Sequence, residues 1–322
     1  MAALLNKDFG TKYLEDFKEG RIKNGLGLDI PFVDKFLSFK QAHFNIMIGL
    51  DNVGKTDFIL WYFLCLALIH EKKVVIWSGE NMPEQQKRKL MQMYLGKSIR
   101  SVDYKEMNKA KLIIENYFDW LDVRRLYTHK ELFSIYTDSG ADICLIDPYN
   151  GMNHDNSVNM FDRNYQFTND AREFVMKEKK TLFVNSHVIS EASRSRYSMD
   201  HPLNGYNKPP IKSQIEGGQP FANRADDFWI LHRLTNHPAL KYFTQLEIVK
   251  VKDTETGGHP TSKDEPMCFD FNNGNGFVWR DVDILNPATI NNPAFDPLEG
   301  YRINNKQKKQ DDGIFGHTES WE

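Results

Sequence analysis

Residues 49–56 read Gly-Leu-Asp-Asn-Val-Gly-Lys-Thr, which matches G-x-x-x-x-G-K-[ST], the spacing of a phosphate-cradling P-loop. The flanks agree: His43 to Ile48 is an apolar run that leads in as a strand, and Asp57 to Ile69 leads out with helical spacing. Glycines let such a loop curl, so its N–H groups face a β-phosphate at a helix N-terminus, where the dipole adds attraction. Lys55 then reaches the β- and γ-phosphates, and Thr56 supplies an oxygen to Mg²⁺. Gly49, Asp51, Asn52, Val53, Gly54, Lys55, Thr56 and Asp57 are the expected contacts of a bound nucleoside triphosphate. A chance glycine-rich turn would not carry the whole motif between a strand and a helix.

Later segments supply the sheet that a P-loop needs. Phe32 to Phe39 is apolar enough to pack beneath the first strand. Lys73-Val-Val-Ile-Trp-Ser78 is a β-type run ending in Gly79-Glu80-Asn81-Met82-Pro83, and Pro83 suits the first turn of a helix from Glu84 to Leu95. Glu80 thus lies past the C-terminal end of a strand, the edge where an open parallel sheet gathers ligands. A carboxylate there orients and deprotonates an attacking water; the plainer alternative is that it only favours the N-terminus of the next helix. Residues 103–139 are charged and mostly helical, with a β-like break near Leu121-Asp-Val-Arg124. Ala141-Asp-Ile-Cys-Leu-Ile146 is a continuous apolar strand suited to burial on both faces. It closes on Asp147, where an acid downstream of a P-loop holds Mg²⁺, although Asp before Pro148 also starts turns. After a polar helix from Asn159 to Lys179, Thr181 to Asn185 is the next strand, and His187 falls at the same edge. It is placed either to sense the γ-phosphate or as a polar strand cap.

Residues 188–222 break the pattern, and so long a loop in a compact domain is either functional or disordered. Arg194, Arg196, Lys208 and Lys212, interleaved with Tyr197 and Tyr206, suit a phosphodiester backbone; a solvated lid is the equal alternative. Ala225 to Arg233 and Tyr242 to Lys252 are further strands, the second carrying Lys250 and Lys252 on one face. A turn at 253–258 and a hairpin-like section from Glu265 to Arg280 follow. Residues 1–20 are either a short amphipathic helix or a frayed end. Beyond about Asn286 apolar density collapses into an acidic tail with Phe315 and Trp321, expected to be disordered, with docking on a partner's basic groove as the alternative. Cys65, Cys144 and Cys268 are far apart in apolar segments and read as buried hydrophobes in a reducing compartment. No apolar run reaches the roughly 18 residues of a membrane span, and no signal-peptide core is present, so a cytoplasmic location without membrane partners is expected. A net charge of -3 argues against a generally basic nucleic-acid binder but allows a local basic lining.

Taken in order, Gly49 to Thr56, Ser78-Gly-Glu80-Asn-Met82-Pro, Leu145-Ile-Asp147-Pro-Tyr-Asn, Asn185-Ser-His187, Gly217 to Asp227 and Lys250-Val-Lys252 form a series. That series resembles the RecA-fold ATPase domain of DnaB-like replicative helicases, particularly the phage and mitochondrial primase–helicase type, over roughly residues 20–285. The resemblance implies an α/β fold: a RecA-like P-loop NTPase core with a mostly parallel twisted sheet and helices on both faces. It divides the chain into an N-terminal linker or helix (1–20), the ATPase domain (21–285) and a disordered acidic tail (286–322). It also implies ATP and Mg²⁺, and a homo-oligomeric ring, usually hexameric, with ATP between subunits. Glu80 would be the catalytic base, Asp147 the Mg²⁺ acid and His187 the γ-phosphate sensor. Lys250 and Lys252 match the pair that reaches the neighbour's γ-phosphate. Loops within 151–160 and 189–216, with Arg194, Arg196, Lys208 and Lys212, would face single-stranded DNA. The tail is placed to meet a replisome polymerase, primase or single-strand binding protein, in the bacterial host if the chain is a phage's. Two departures stand out. Lys252 occupies a position where the family commonly has Arg, and a lysine is a point charge without a bidentate fork; RecA-type recombinases also use Lys-x-Lys. Nothing upstream is large enough for a primase or collar domain, so a stand-alone motor is expected. The implied activity is ATP-driven translocation on single-stranded DNA with duplex unwinding. A filament-forming recombinase and a RecA-fold assembly ATPase that does not act on DNA are the alternatives.

Overall fold

Short apolar runs become strands and the longer stretches between them become helices. The computed structural model describes residues 4, 6, 8–22, 25–154, 157–263, 265–272, 274–280 and 282–285. The expected tail at 286–322, with Phe315 and Trp321, lies outside the described residues, as do Asp155 and Asn156 of the 151–160 loop. In chain order the elements are α1 (Thr11–Lys18), α2 (Pro31–Asp34), β1 (Phe44–Ile48), α3 (Lys55–His70), β2 (Val74–Ser78) and α4 (Pro83–Leu95). Then come α5 (Tyr104–Tyr117), β3 (Phe118–Trp120), α6 (His129–Asp138), β4 (Ile143–Asp147), α7 (Met160–Glu178) and β5 (Thr181–Ser186). The chain goes on through α8 (Ser190–Arg194), α9 (Gln219–Arg224), β6 (Asp227–Arg233), β7 (Phe243–Lys250), β8 (Met267–Phe271) and β9 (Phe277–Val278).

Among the described residues the strands form one sheet in the order β3-β2-β4-β5-β1-β6-β7-β8-β9. From β3 to β6 all neighbours are parallel; β7, β8 and β9 add antiparallel. The sheet is therefore mixed but mostly parallel, and β1, β2, β4 and β5 are buried along their whole length, as continuous apolar runs require. Side-chain caps fix where the covering helices begin. Asp103 accepts from the Glu106 N–H at 2.8 Å, Asn159 from Asp162, and Thr128 forms a reciprocal box with Glu131.

The two faces carry separate apolar clusters. On one face α3 is buried all round from Phe58 to Ala67, which explains why its sequence shows no polar stripe. Phe58 and Trp61 meet Phe269 and Phe277, while Tyr62 and Phe63 meet Phe183, and Tyr62 also meets Trp229, all edge-on. On the other face Phe167, Ala171 and Val175 of α7 pack with Tyr136 of α6 and Phe221 of α9 over Ile46, Ile146, Val184 and Ile230.

Three local expectations shift. The β-like break is β3 at Phe118–Trp120, just ahead of Leu121. The stretch 188–222 is not structureless: it holds α8, α9 and a 3-10 turn at Lys212–Gln214, and bridges Val188 to Ile215 and Arg196 to Asn207. A small cluster of Leu203, Leu234 and Leu240, with Tyr197, Tyr206 and Cys268 against it, holds that excursion onto the sheet. Cys65 and Cys144 are buried as expected, and Cys268 is only half-buried. Among the described residues no helix is long and apolar enough to cross a membrane.

Candidate functional site

The loop between β1 and α3 sits against the end of β6. A Cβ on Gly49 would come within 2.5 Å of the Leu231 carbonyl, and Gly54 holds φ 91°, so neither position accepts a larger residue without strain. Lys55 folds back onto its own loop: its Nζ donates to the Gly49 carbonyl at 3.0 Å and the Leu50 carbonyl at 3.1 Å. Burial lowers the pKa of its ammonium, against the opposing pull of Asp147, Asp51 and Glu80. Two neutral carbonyls compensate a half-buried cation only in part, and phosphate oxygens would compensate it better.

Beside it, the Thr56 hydroxyl donates to Asp147 Oδ2 at 2.8 Å, and the Asn185 amide donates to Asp147 Oδ1 at 2.8 Å. Asp147 is 2% exposed. Burial raises its pKa, and these two hydrogen bonds only partly offset that. Glu80 and His187 meet above this pair, with His187 Nε2 2.9 Å from Glu80 Oε1. The other ring nitrogen lies 3.5 Å from Asp51 Oδ1, so His187 bridges the P-loop and the turn after β2. The residues expected at the ligand edge are thus brought together: Lys55, Thr56, Glu80, Asp147, His187 and Asp51.

Two neighbours, Asn185 and Arg233, carry weight that the motif reading did not assign, and a third residue, Asp57, expected at the nucleotide, has a partner on the next helix. Asn185, which ends β5 beside Ser186, orients Asp147. Arg233, the last residue of β6, donates from Nη2 to the Asn52 carbonyl at 3.0 Å and lies 4.9 Å over the Phe271 ring. It props the P-loop from the side of the antiparallel strands. Asp57, in the first turn of α3, is ion-paired to Lys89 of α4. Arg233 and Asn185 both stood inside segments singled out in sequence, but only tertiary contact gives them partners.

Lys250 and Lys252 stand at the other end of the sheet. Lys250 pairs with Phe228 of β6, which lies level with Ile46 of β1, whereas the P-loop follows Ile48. At about 3.3 Å per residue Lys250 lies roughly 10 Å, and Lys252 roughly 16 Å, from Gly49 along the strand direction. Lys252 lies two residues beyond β7, and its ammonium and that of Lys250 reach the same 222–226 segment. Its backbone is pinned by an Asp227 carboxylate at 3.1 Å and by Lys40 Nζ on its carbonyl at 2.6 Å. Its ammonium, half-exposed, pairs with Asp226 at 3.0 Å. Asp226 also takes Arg172 and the Phe44 N–H. Burial pushes the Asp226 pKa up, yet the Phe44 N–H, Lys252, Arg172 and His43 outweigh it and hold it below the ordinary carboxylate value. Lys250 Nζ donates to the Asn223 carbonyl at 2.8 Å at the end of α9.

The four cations expected to face DNA do not form one cluster. Arg194 ends α8 and is exposed. Arg196 donates to the Gly205 carbonyl at 2.7 Å and Asn207 at 3.2 Å, so it closes its own hairpin. Lys208 lies 6.0 Å over the Tyr197 ring, and Lys212 opens the 3-10 turn next to α9.

No protein-family model matches the sequence, and no curated protein does. Among solved structures, an ATPase domain superposes with a TM-score of 0.66 at 14% identity, covering 84% of this chain and 96% of that one. A DnaB-like replicative helicase, solved in a study of its interactions with primase, gives a TM-score of 0.67 at 16% identity, covering 86% of this chain and 67% of that one. With its mostly parallel sheet and the P-loop between β1 and α3, the chain has the RecA-like fold of a DnaB-like helicase ATPase domain.

Proposed function

We propose that the chain is the ATP-hydrolysing motor of a DNA helicase, assembled as a ring, that moves on single-stranded DNA and separates a duplex. The observation that carries this is the gathering of Glu80, His187 and Asp51 near Lys55, Thr56 and Asp147 at one sheet edge.

Lys55 leaves the Gly49 and Leu50 carbonyls for the β- and γ-phosphates, which restores the compensation its burial removes. Thr56 and Asp147 offer a hydroxyl and a carboxylate, hard oxygen donors that fit Mg²⁺. Bound there, Mg²⁺ would neutralise charge on the phosphates. Glu80 takes the proton of the attacking water, and His187, between Glu80 and Asp51, registers whether the γ-phosphate is present. Lys250 and Lys252 are too far from their own P-loop and act on the nucleotide of a neighbouring subunit. Arg194, Lys208 and Lys212 meet the phosphodiester backbone, with Arg196 shaping the loop that presents them.

The test is the ATPase rate with and without single-stranded DNA, with a forked duplex in the same tube. Stimulation with catalytic strand separation is expected. Stimulation without separation favours a recombinase-like filament, the reading that Lys252 in place of an arginine supports. A rate indifferent to DNA overturns both.

A further inference from the structure

Aromatic residues on a surface helix need a reason when they stack on one another and carry a cation. Helix α7 begins with Met160, Phe161 and, one turn on, Tyr165, which are 59%, 63% and 45% exposed. Phe161 and Tyr165 stack at 6.5 Å between ring centroids and 17° between planes, the contact that i, i+4 spacing allows on a helix. Arg224, the last residue of α9, donates to the Tyr165 hydroxyl at 2.7 Å and lies 4.9 Å over its ring. A guanidinium, a phenol and a phenyl thus form a fixed series of planes whose outer phenyl is open to solvent. Single exposed hydrophobes are ordinary, but a series held by a hydrogen bond and a cation–π contact is already ordered before anything binds.

The chemistry around the series says what would cover it. Among the described residues Arg224 has no carboxylate partner. Lys250 sits on the Ala222 and Asn223 carbonyls of the same short helix, and the turn that opens with Lys212 packs against it. Asp162, the nearest acid along α7, is tied to the Asn159 amide. The stack also follows directly on the loop after β4, and α9 adjoins the 189–216 excursion. Planar rings next to cations match a chain of unpaired bases joined by phosphates; a protein surface would have to bring its own acids.

We propose that Phe161 and Tyr165, backed by Arg224, form a stacking platform for the bases of single-stranded DNA, with Arg224 and Lys212 facing its phosphates. The inference rests on the DNA-motor reading above and adds to it a site on helices instead of loops. The platform is sequence-tolerant, because every base offers a π-face.

The experiment is fluorescence anisotropy on the full chain with Mg²⁺ and a non-hydrolysable ATP analogue, using a labelled thymidine oligonucleotide of about 16 nucleotides and an abasic strand of the same length. Stacking predicts that Phe161→Ala weakens binding of the thymidine strand by about 5- to 100-fold. It also predicts that Phe161→Trp restores binding, and that the abasic strand binds wild type and Phe161→Ala alike. DNA-independent ATP turnover should not change. Equal binding of the thymidine strand by wild type and Phe161→Ala overturns the platform while leaving the motor reading intact. So does an equal loss on both strands. A loss that tracks a smaller assembly in sedimentation would make the patch a contact between copies of the chain and also overturn it. Wild type that binds neither strand overturns the motor reading, and the platform with it.

Discussion

Lys252 can be separated from its structural role by mutation, because the two roles have different magnitudes. Its ammonium is half-exposed on Asp226 at 3.0 Å, while Asp226 keeps Arg172 and the Phe44 N–H when the lysine is removed. Lys252→Ala should therefore cost about 1 kcal/mol or less of stability, as for other half-exposed pairs. At 2–4 °C per kcal/mol for a chain of this size class, the melting temperature should fall by no more than roughly 4 °C. Its effect on turnover should be far larger. A trans arginine is worth about 10³–10⁵ in kcat; a lysine, a point charge, should sit at or below the lower end. The assay is complementation. Lys55→Ala has no working P-loop and Lys252→Ala has no trans cation, so each alone should be nearly inactive. In a one-to-one mixture about a quarter of the interfaces pair an intact P-loop with an intact Lys252 across a head-to-tail contact, and turnover should rise above both parents. Mixed assemblies that co-purify through a tag and yet stay inactive would refute a trans role, as would wild-type turnover in Lys252→Ala alone.

Glu80→Gln should retain binding of a fluorescent ATP analogue while kcat falls about 10²- to 10⁴-fold; unchanged turnover would leave Glu80 with only a role at the start of α4. Asp147→Asn should raise the melting temperature of the ligand-free protein, because burial raises the carboxyl pKa and so disfavours its charged form. The stabilisation should be greatest at neutral pH and vanish as pH falls through the raised pKa, and Mg²⁺-dependent hydrolysis should be lost. Asp226→Ala should do the reverse, costing about 3–5 kcal/mol by leaving Arg172 and the Phe44 N–H without their acceptor. Since the Asp226 pKa is held below its unfolded value, the contribution it makes is present above that value and is lost as pH falls through the folded one. Scanning calorimetry across pH 2–7 checks both aspartates, and matching slopes in the two variants would contradict the opposite environments.

What could be read from the chain was whatever depends on neighbours along it. A strand followed within two residues by an acid, a histidine or a P-loop is a local pattern, and in a parallel sheet every such strand delivers its next residue to the same edge. That is why Lys55, Glu80, Asp147 and His187 were legible. Arg233 was not, because its partner Asn52 is 181 residues away and no spacing rule links a strand end to a loop that far upstream. Nor was the Asp226 hub, assembled from Phe44, Arg172 and Lys252. The 188–222 stretch read as loop because its order comes from outside it: Leu234 and Leu240, from the end of β6 and the turn beyond, supply the apolar surface on which Leu203, Tyr197 and Tyr206 settle. The length of α3 was legible but not its burial on all sides, which follows from β8 and β9 folding back over it.

One short element then stands between the two ends of the molecule. Burial, and next the charge of Lys212, hold the Lys250 pKa below the ordinary lysine range, so Lys250 is a cation that gains from meeting an anion. Its present partners are the Ala222 and Asn223 carbonyls of α9. If Lys250 turns to a neighbour's phosphate, those carbonyls at the end of α9 lose their donor and the charge beside Lys212 moves away. Both changes act on the helix that carries Arg224 and on the turn that opens the flank of the 189–216 excursion. A difference in how α9 is held, between a subunit facing a filled neighbour and one facing an empty neighbour, is the kind of differential contact by which nucleotide binding can bias a second site. The physical path is short, Lys250, the end of α9 and Lys212, and it needs no wire through the core. Coupling in the proposed motor would then depend less on the site at the P-loop than on whether Lys250 can leave α9.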